Sequence, residues 1–288
     1  MELIHATQLL PHDAISGRSL LAAYFLLKLR GALSGGLTLA IAYMHSRGYA
    51  HGDIHLRNIL VKLPSSFDQL SIKQLYEEYG KPETVPSTQR NGKSLPPSVP
   101  AKAVIPLRLG KNAEEFSLSD ARRCFLVTLA GHFPPALEVR RGEDCHTPLA
   151  MRPPEARFEP QAPLSFSADI WSLATTIWEI LGMKAIFSSE FATADDIISQ
   201  QIDVLGPMPL IKLNGRPKEC RDVWPPIDEA FEEGVQKYRR KRGVGEFDGE
   251  ETVALLELMR QMLAFRPEER PTAEEVLKSE WMVQVGVA

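Results

Sequence analysis

A mainly α-helical domain with a few short strands is what this sequence predicts, and three observations carry that expectation. Long apolar stretches, above all residues 15–46 and 168–181, repeat with helical spacing. Strand-like runs are sparse, most of all after residue 115. With 288 residues, 44% hydrophobic and 24% charged, the chain is long enough and apolar enough to bury a sizeable core.

Taken in order, Ile15–Leu29 and Ala32–Ser46 read as two helices with Gly31 between them. The apolar run Leu20–Met44 is interrupted by Lys28, Arg30 and the Gly35-Gly36 pair. Neither half therefore reaches the roughly 18 apolar residues a membrane span needs, and no membrane partner is expected. Met1-Glu2 is not followed by a basic n-region, so no cleaved signal peptide is expected. Ile59-Leu60-Val61 reads as a buried strand after a polar loop. Residues 64–115 gather prolines among Ser, Lys and Gln and read as a surface insertion, with one helix at Ser71–Tyr79. Ala168–Leu181 is a strongly apolar helix with Trp171 and Trp178 on one face, both expected in the core. Asp195–Leu205 and Glu250–Leu263 read as further helices. Thr272–Lys278 opens with Thr272 as N-cap and Glu275 three residues later, a capping box. The basic run Lys237–Arg242 reads as a solvated loop rather than a nuclear-import patch.

Charge and cysteine content narrow the function. A net charge of −4 gives no reason to expect a nucleic-acid partner. The three cysteines are widely separated with no C-x-x-C, which excludes a disulfide framework and a Cys-type zinc site. That usage fits a reducing compartment, cytoplasmic or nuclear. None of the seven histidines lies in H-E-x-x-H, so a metalloprotease of that type is excluded.

The stretch that carries chemistry is Tyr49–Leu60, YAHGDIHLRNIL. It places Asp53 two residues after His51 and Asn58 five residues after Asp53, ahead of an apolar strand. An Asp and an Asn serving only a turn is the bland alternative. The pattern H-x-D-x-x-x-x-N resembles the catalytic loop of the protein kinases, and later elements agree in order. Arg152-Pro153-Pro154-Glu155 resembles the A-P-E sequence that closes the activation segment. Asp169-Ile170-Trp171-Ser172-Leu173 resembles the D-x-W-S helix that follows it, and Arg270-Pro271-Thr272 the sequence that opens the final helix. Ile202–Pro209 and the Gly52 preceding Asp53 make the chain similar to fungal SR-protein-kinase-like Ser/Thr kinases.

The resemblance implies roles. Asp53 would take the proton of a substrate hydroxyl, with His51 and Arg57 completing the catalytic set, Arg57 as the cation steadying the phosphate. Asn58 would hold the Mg²⁺ that accompanies ATP, with Asp120 as a candidate second ligand. Asp169 would hold the catalytic-loop backbone, and Glu155 would pair with Arg270 in the interior. His55 stands where Ser/Thr kinases usually carry a Lys. Thr147 resembles the activation-segment Thr that meets the catalytic Asp. The substrate would be a protein, Arg/Ser-rich if the subfamily holds, with Glu232-Glu233 and Asp195-Asp196 as candidate acidic contacts. His51-Gly52-Asp53 with Asn58 also resembles the aminoglycoside and choline phosphotransferases, which lack the later elements.

Two departures limit the carry-over. A D-F-G sequence is absent. Either Ser119-Asp120-Ala121 or Thr128-Leu129-Ala130 stands in its place, the second alignment putting Phe133 at the aromatic that follows. Arg123–His132 matches neither, as a stretch read in a shifted frame would, and sequencing the transcript over residues 120–135 tests that. The Gly-rich loop, the strand Lys and the helix Glu of a small β lobe are not found either. Gly31–Gly36 is not G-x-G-x-x-G, and Lys28 in Leu-Leu-Lys-Leu-Arg does not match V-A-I-K. The expectation is therefore a kinase C-terminal lobe over residues 1–288, its N-terminal β lobe missing and its activity impaired, or else a pseudokinase acting as a binding module. An apolar face where the small lobe would pack, with Leu3, Ile4, Leu9 and Leu10 as candidates, is expected to take a partner.

Overall fold

The computed structural model describes residues 3–5, 20–62, 67–89, 94–105, 124–126, 132–182, 184–188, 190, 192–208, 222–243 and 245–285. Asp120, Leu9, Leu10 and Thr128–Ala130 lie outside them.

In chain order, strand β1 (Leu3–His5) precedes the long helix α1 (Leu20–Ser46), and the candidate catalytic loop leads into β2 (Ile59–Lys62). The Pro-rich residues 64–115 contribute α2 (Ile72–Tyr79), β3 (Thr84–Pro86) and β4 (Lys102–Val104). Strand β5 (Cys124–Leu126) and the short α3 (Glu155–Phe158) lead to α4 (Phe166–Gly182) and α5 (Ala194–Leu205). The described chain then continues through α6 (Ile227–Phe231), α7 (Lys237–Arg242), α8 (Gly249–Met262), α9 (Ala273–Leu277) and α10 (Glu280–Gln284). The mainly helical expectation holds.

Helix α4 is the organising element. Fourteen of its seventeen residues are buried, most of them apolar, with Asp169, Ser172, Thr175 and Thr176 as the buried polar ones. Helix α1 packs on α4 and α9, and α8 packs on α4 and α10. One continuous core joins Leu37 and Ile41 of α1, Ile54 within the candidate loop and Ile59 just after it, Trp171 and Ile177 of α4, Met259 and Met262 of α8, and Trp281 of α10. Trp171 stacks on Phe187 with ring centroids 6.1 Å apart, and Trp178 meets Phe231 edge-on at 5.7 Å. Both tryptophans are core, as their spacing predicts.

The sheets are small. Antiparallel pairing gives the order β1-β2-β5, with Ile4 opposite Val61 and Leu60 opposite Phe125. Hairpin β3-β4 in the insertion is exposed at every position. Helix α2 is not detached, because Leu70, Leu75 and Tyr79 pack on the main core. Ser71 caps it in a capping box with Gln74.

Two expectations need correction. The pair of helices split at Gly31 is one continuous helix from Leu20, and residues 15–19 lie outside the described residues. Gly31 does not break it; it makes room, because a Cβ there would stand 2.9 Å from Cβ of Val285. Lys237–Arg242 is not a solvated loop. It is helix α7, which follows α6 through a wide π turn at Glu232–Gln236. Arg239 is fully buried there, donating from Nε to Gly245 O at 2.8 Å and from Nη1 to Leu181 O at 3.3 Å. Its guanidinium lies 4.2 Å from the centre of the Phe247 ring. Gln236 clamps the same strand of chain, its amide donating to Phe247 O and accepting from Phe247 N–H.

Candidate active site

The loop His51–Asn58 is held from below by a single carboxylate. Asp169, near the start of α4 and 2% exposed, accepts the backbone N–H of His51 on Oδ2 at 2.6 Å and that of Gly52 on Oδ1 at 2.8 Å. Two successive N–H groups converge on one anion, which explains how a charge this deeply buried is tolerated. Gly52 has φ +73°, in the left-handed region where a residue without Cβ is favoured. His45, at the end of α1, adds a third contact from Nε2 to Oδ2 at 2.9 Å.

Above that anchor the loop is cross-braced. Asn58 Nδ2 donates to both the backbone O and Oδ2 of Asp53, each at 2.9 Å. Asp53 N–H donates to Nδ1 of His51 at 3.2 Å, which requires that nitrogen unprotonated. Burial holds His51 below the usual histidine range, although the carboxylates of Asp169 and Asp53 pull the other way. Asp53 Oδ1 is buried with no hydrogen bond among the described residues, and His55 Nε2 lies 3.5 Å from it. Thr147, fully buried, donates to Gly52 O at 3.1 Å, next to Asp53 rather than to its carboxylate. Ala50 and Phe133 exchange both backbone hydrogen bonds, so the chain arriving at residue 133 lies beside the loop.

Arg57 is exposed, and its charge acts on Glu179 of α4. Burial pushes the Glu179 carboxyl above the usual range while Arg57 draws it back, and its Oε2 has no hydrogen bond among the described residues. Further away, Glu155 and Arg270 form a two-pronged ion pair at 2.7 and 2.6 Å. Arg270 also donates to the carbonyls of Ala264 and Ser167 and lies over the ring of Trp171 at 5.1 Å. His51, Asp53, Asn58 and Asp169 thus meet in one site, Arg57 stands at its edge, Glu155 and Arg270 lie together apart from it, and Asp120 falls outside the described residues.

Sequence reading passed over His45 and Glu179. The second left a signal, because Asp169 and Glu179 are the only acidic residues of an otherwise apolar helix. Such residues need partners.

Asn58 fits a magnesium ligand: its Nδ2 is spent on Asp53, so its remaining polar atom is an oxygen, the donor a hard cation takes. Among the described residues no group of three or more His, Cys, Asp and Glu could hold a metal by itself. A nucleotide-borne Mg²⁺ asks for one or two protein ligands only.

No family model matches the chain. Among curated proteins, Ser/Thr protein kinases from two strains of Aspergillus fumigatus are each 25% identical to it over 128 residues. That stretch is 40% of this chain and 30% of each relative, so the match spans less than a third of the relatives' length. Over part of its length, then, the chain is distantly similar to fungal Ser/Thr protein kinases, and a kinase-like relationship is as far as that similarity reaches. Among the described residues no helix is long and apolar enough to cross a membrane.

Proposed function

We propose that the chain is the C-terminal lobe of a Ser/Thr protein kinase of the SR-protein-kinase-like type, moving the terminal phosphoryl group of ATP to a protein hydroxyl. The observation that carries this reading is the anchored, cross-braced loop, with Asp169 beneath His51-Gly52 and Asn58 tied to Asp53. Mg·ATP, when bound, supplies the phosphoryl group and neutralises charge on the phosphates. Asp53 then accepts the proton of the substrate hydroxyl through its carboxylate as the new O–P bond forms and the bond to the departing diphosphate breaks. Asn58 orients that carboxylate through Nδ2 and offers Oδ1 to the metal. Arg57 supplies a mobile cation at the rim, and buried His51 stays neutral, keeping its bond to Asp53 N–H.

A second reading, a binding module without catalysis, draws on one observation: no D-F-G sequence supplies the usual second metal ligand. Thermal unfolding separates the two. A ligand that binds only the folded chain raises the midpoint, by about 2.7 kcal/mol in stability at one hundred times Kd. Mg·ATP is expected to raise it in the wild type but not in Asn58→Ala. Asp53→Asn is expected to keep the nucleotide shift and lose phosphate transfer to an Arg/Ser-rich peptide. No shift at millimolar Mg·ATP overturns the catalytic reading.

A further inference from the structure

A cavity of about 280 Å³ lies between the segment around α3 and the first turns of α5, and no residue of the His51–Asn58 loop lines it. Its volume is near the lower end of small-molecule sites, which run from ~300 to 1,000 Å³. Leu149, Pro153, Ala156, Ile197 and Ile198 give it apolar walls, and the fixed φ of Pro153 and Pro154 keeps one side rigid. Three charged side chains also stand at the lining, and they are unequally matched. Arg157 donates to Asp195 at 3.0 Å, an exposed pair that water screens. Glu143 is exposed and accepts from Gln161 at 3.0 Å.

Arg152 differs. It is half-buried, and the one hydrogen bond of its side chain runs from Nε to Thr147 O at 3.0 Å, which restrains the guanidinium. No carboxylate among the described residues pairs with it. Its Nη1 and Nη2 make no hydrogen bond, yet neither is sealed from solvent. A partly desolvated, restrained guanidinium with two open nitrogens suits a planar carboxylate. A bare inorganic anion would leave the apolar walls wet, and a cation would meet Arg152. A dianion would bring a second charge toward Glu143, which has no cationic partner among the described residues. We infer that this cavity binds a small apolar monocarboxylic acid, its carboxylate on the free nitrogens of Arg152 and its hydrocarbon body against the Pro153–Ile198 walls.

The test uses the full chain and three probes on one frame: 4-trifluoromethylbenzoate, the corresponding benzamide, and 4-trifluoromethylphenyl phosphate. They carry one negative charge, none and two. Ligand fluorine relaxation is measured against protein concentration, and methyl spectra report Ile197 and Ile198. Expected are broadening of the benzoate signal and shifts of those two isoleucine methyls. The amide is expected to bind about five- to tenfold more weakly, the worth of a charged over a neutral hydrogen bond, and the phosphate ester also more weakly than the benzoate. Arg152→Gln is expected to bring the benzoate down to the affinity of the amide while keeping a cooperative unfolding transition. Equal binding of benzoate and amide to the wild type overturns the inference, as does tighter binding of the phosphate ester. So does an undiminished preference for benzoate in Arg152→Gln, the absence of broadening at millimolar probe, or shifts confined to other methyls. Should Arg152→Gln fail to fold, the comparison of probes on the wild type decides alone.

Discussion

Individual side chains carry unequal loads in this molecule, and the buried ions show it. Arg270 spends its guanidinium on Glu155, three carbonyls and the face of Trp171, with its own side chain fully buried. Glu155→Ala should strand that charge and cost about 3–5 kcal/mol in chemical denaturation. Asp169→Asn replaces one acceptor with a donor facing a backbone N–H. We expect a loss of roughly 1–3 kcal/mol, together with loss of any nucleotide-induced shift because the loop is freed. Both residues were legible in the sequence because each sits inside a short, ordered pattern. Glu179 and His45 were not. Their significance lies in partners they meet, or fail to meet, across the core, and no local spacing encodes that.

Among the elements, sequence reading succeeded where apolar spacing and caps agree. Helix α5 shows the agreement: Thr193 accepts from Asp196 N–H and Asp196 returns the bond to Thr193 N–H, a closed capping box. Thr193→Ala should cost about 1 kcal/mol, read as a shift in urea midpoint at unchanged slope. Reading failed at α1, where Gly31 looked like punctuation but is a packing residue under Val285. It failed again at residues 227–242, where Ile227, Phe231 and Val235 recur every four residues yet are masked by the charges between them. In the insertion the fold divides the labour unevenly. Replacing residues 84–104, whose two strands are exposed at every position, by a short Gly-Ser link should leave stability nearly unchanged, since loop length costs little. Leu75→Ala in α2, which touches the core, should be destabilising.

Across the whole molecule, acid should act through the loop. His51 is held below its ordinary value of about 6.5, so the unfolded chain binds more protons than the folded one on the acidic side. Its contribution is present above that value and is lost as pH falls through it. Glu179, raised by burial, works in the opposite direction as pH rises above the carboxylate range. Between pH 7 and 5 the His51 contribution should therefore fall away, and the change in stability over that interval should be less destabilising in His51→Asn than in the wild type.

The buried Arg239 makes one segment a reporter of the entire fold. A trypsin-like protease needs several residues drawn out in an extended strand with the basic side chain inserted into its own pocket. Residues 237–242 would be rich prey in a loose chain, yet here they are coiled into a helix and Arg239 is locked into the interior. Lys102, exposed and followed by Ala103, stands open to the same enzyme. Digestion should nick the chain at Lys102 first, while scission after Arg239 waits for the core to open. Where opening and reclosing outpace cleavage, the rate of that late cut should follow the unfolding equilibrium. Mass spectrometry of a timed digest would then read the stability of the core from a single peptide bond.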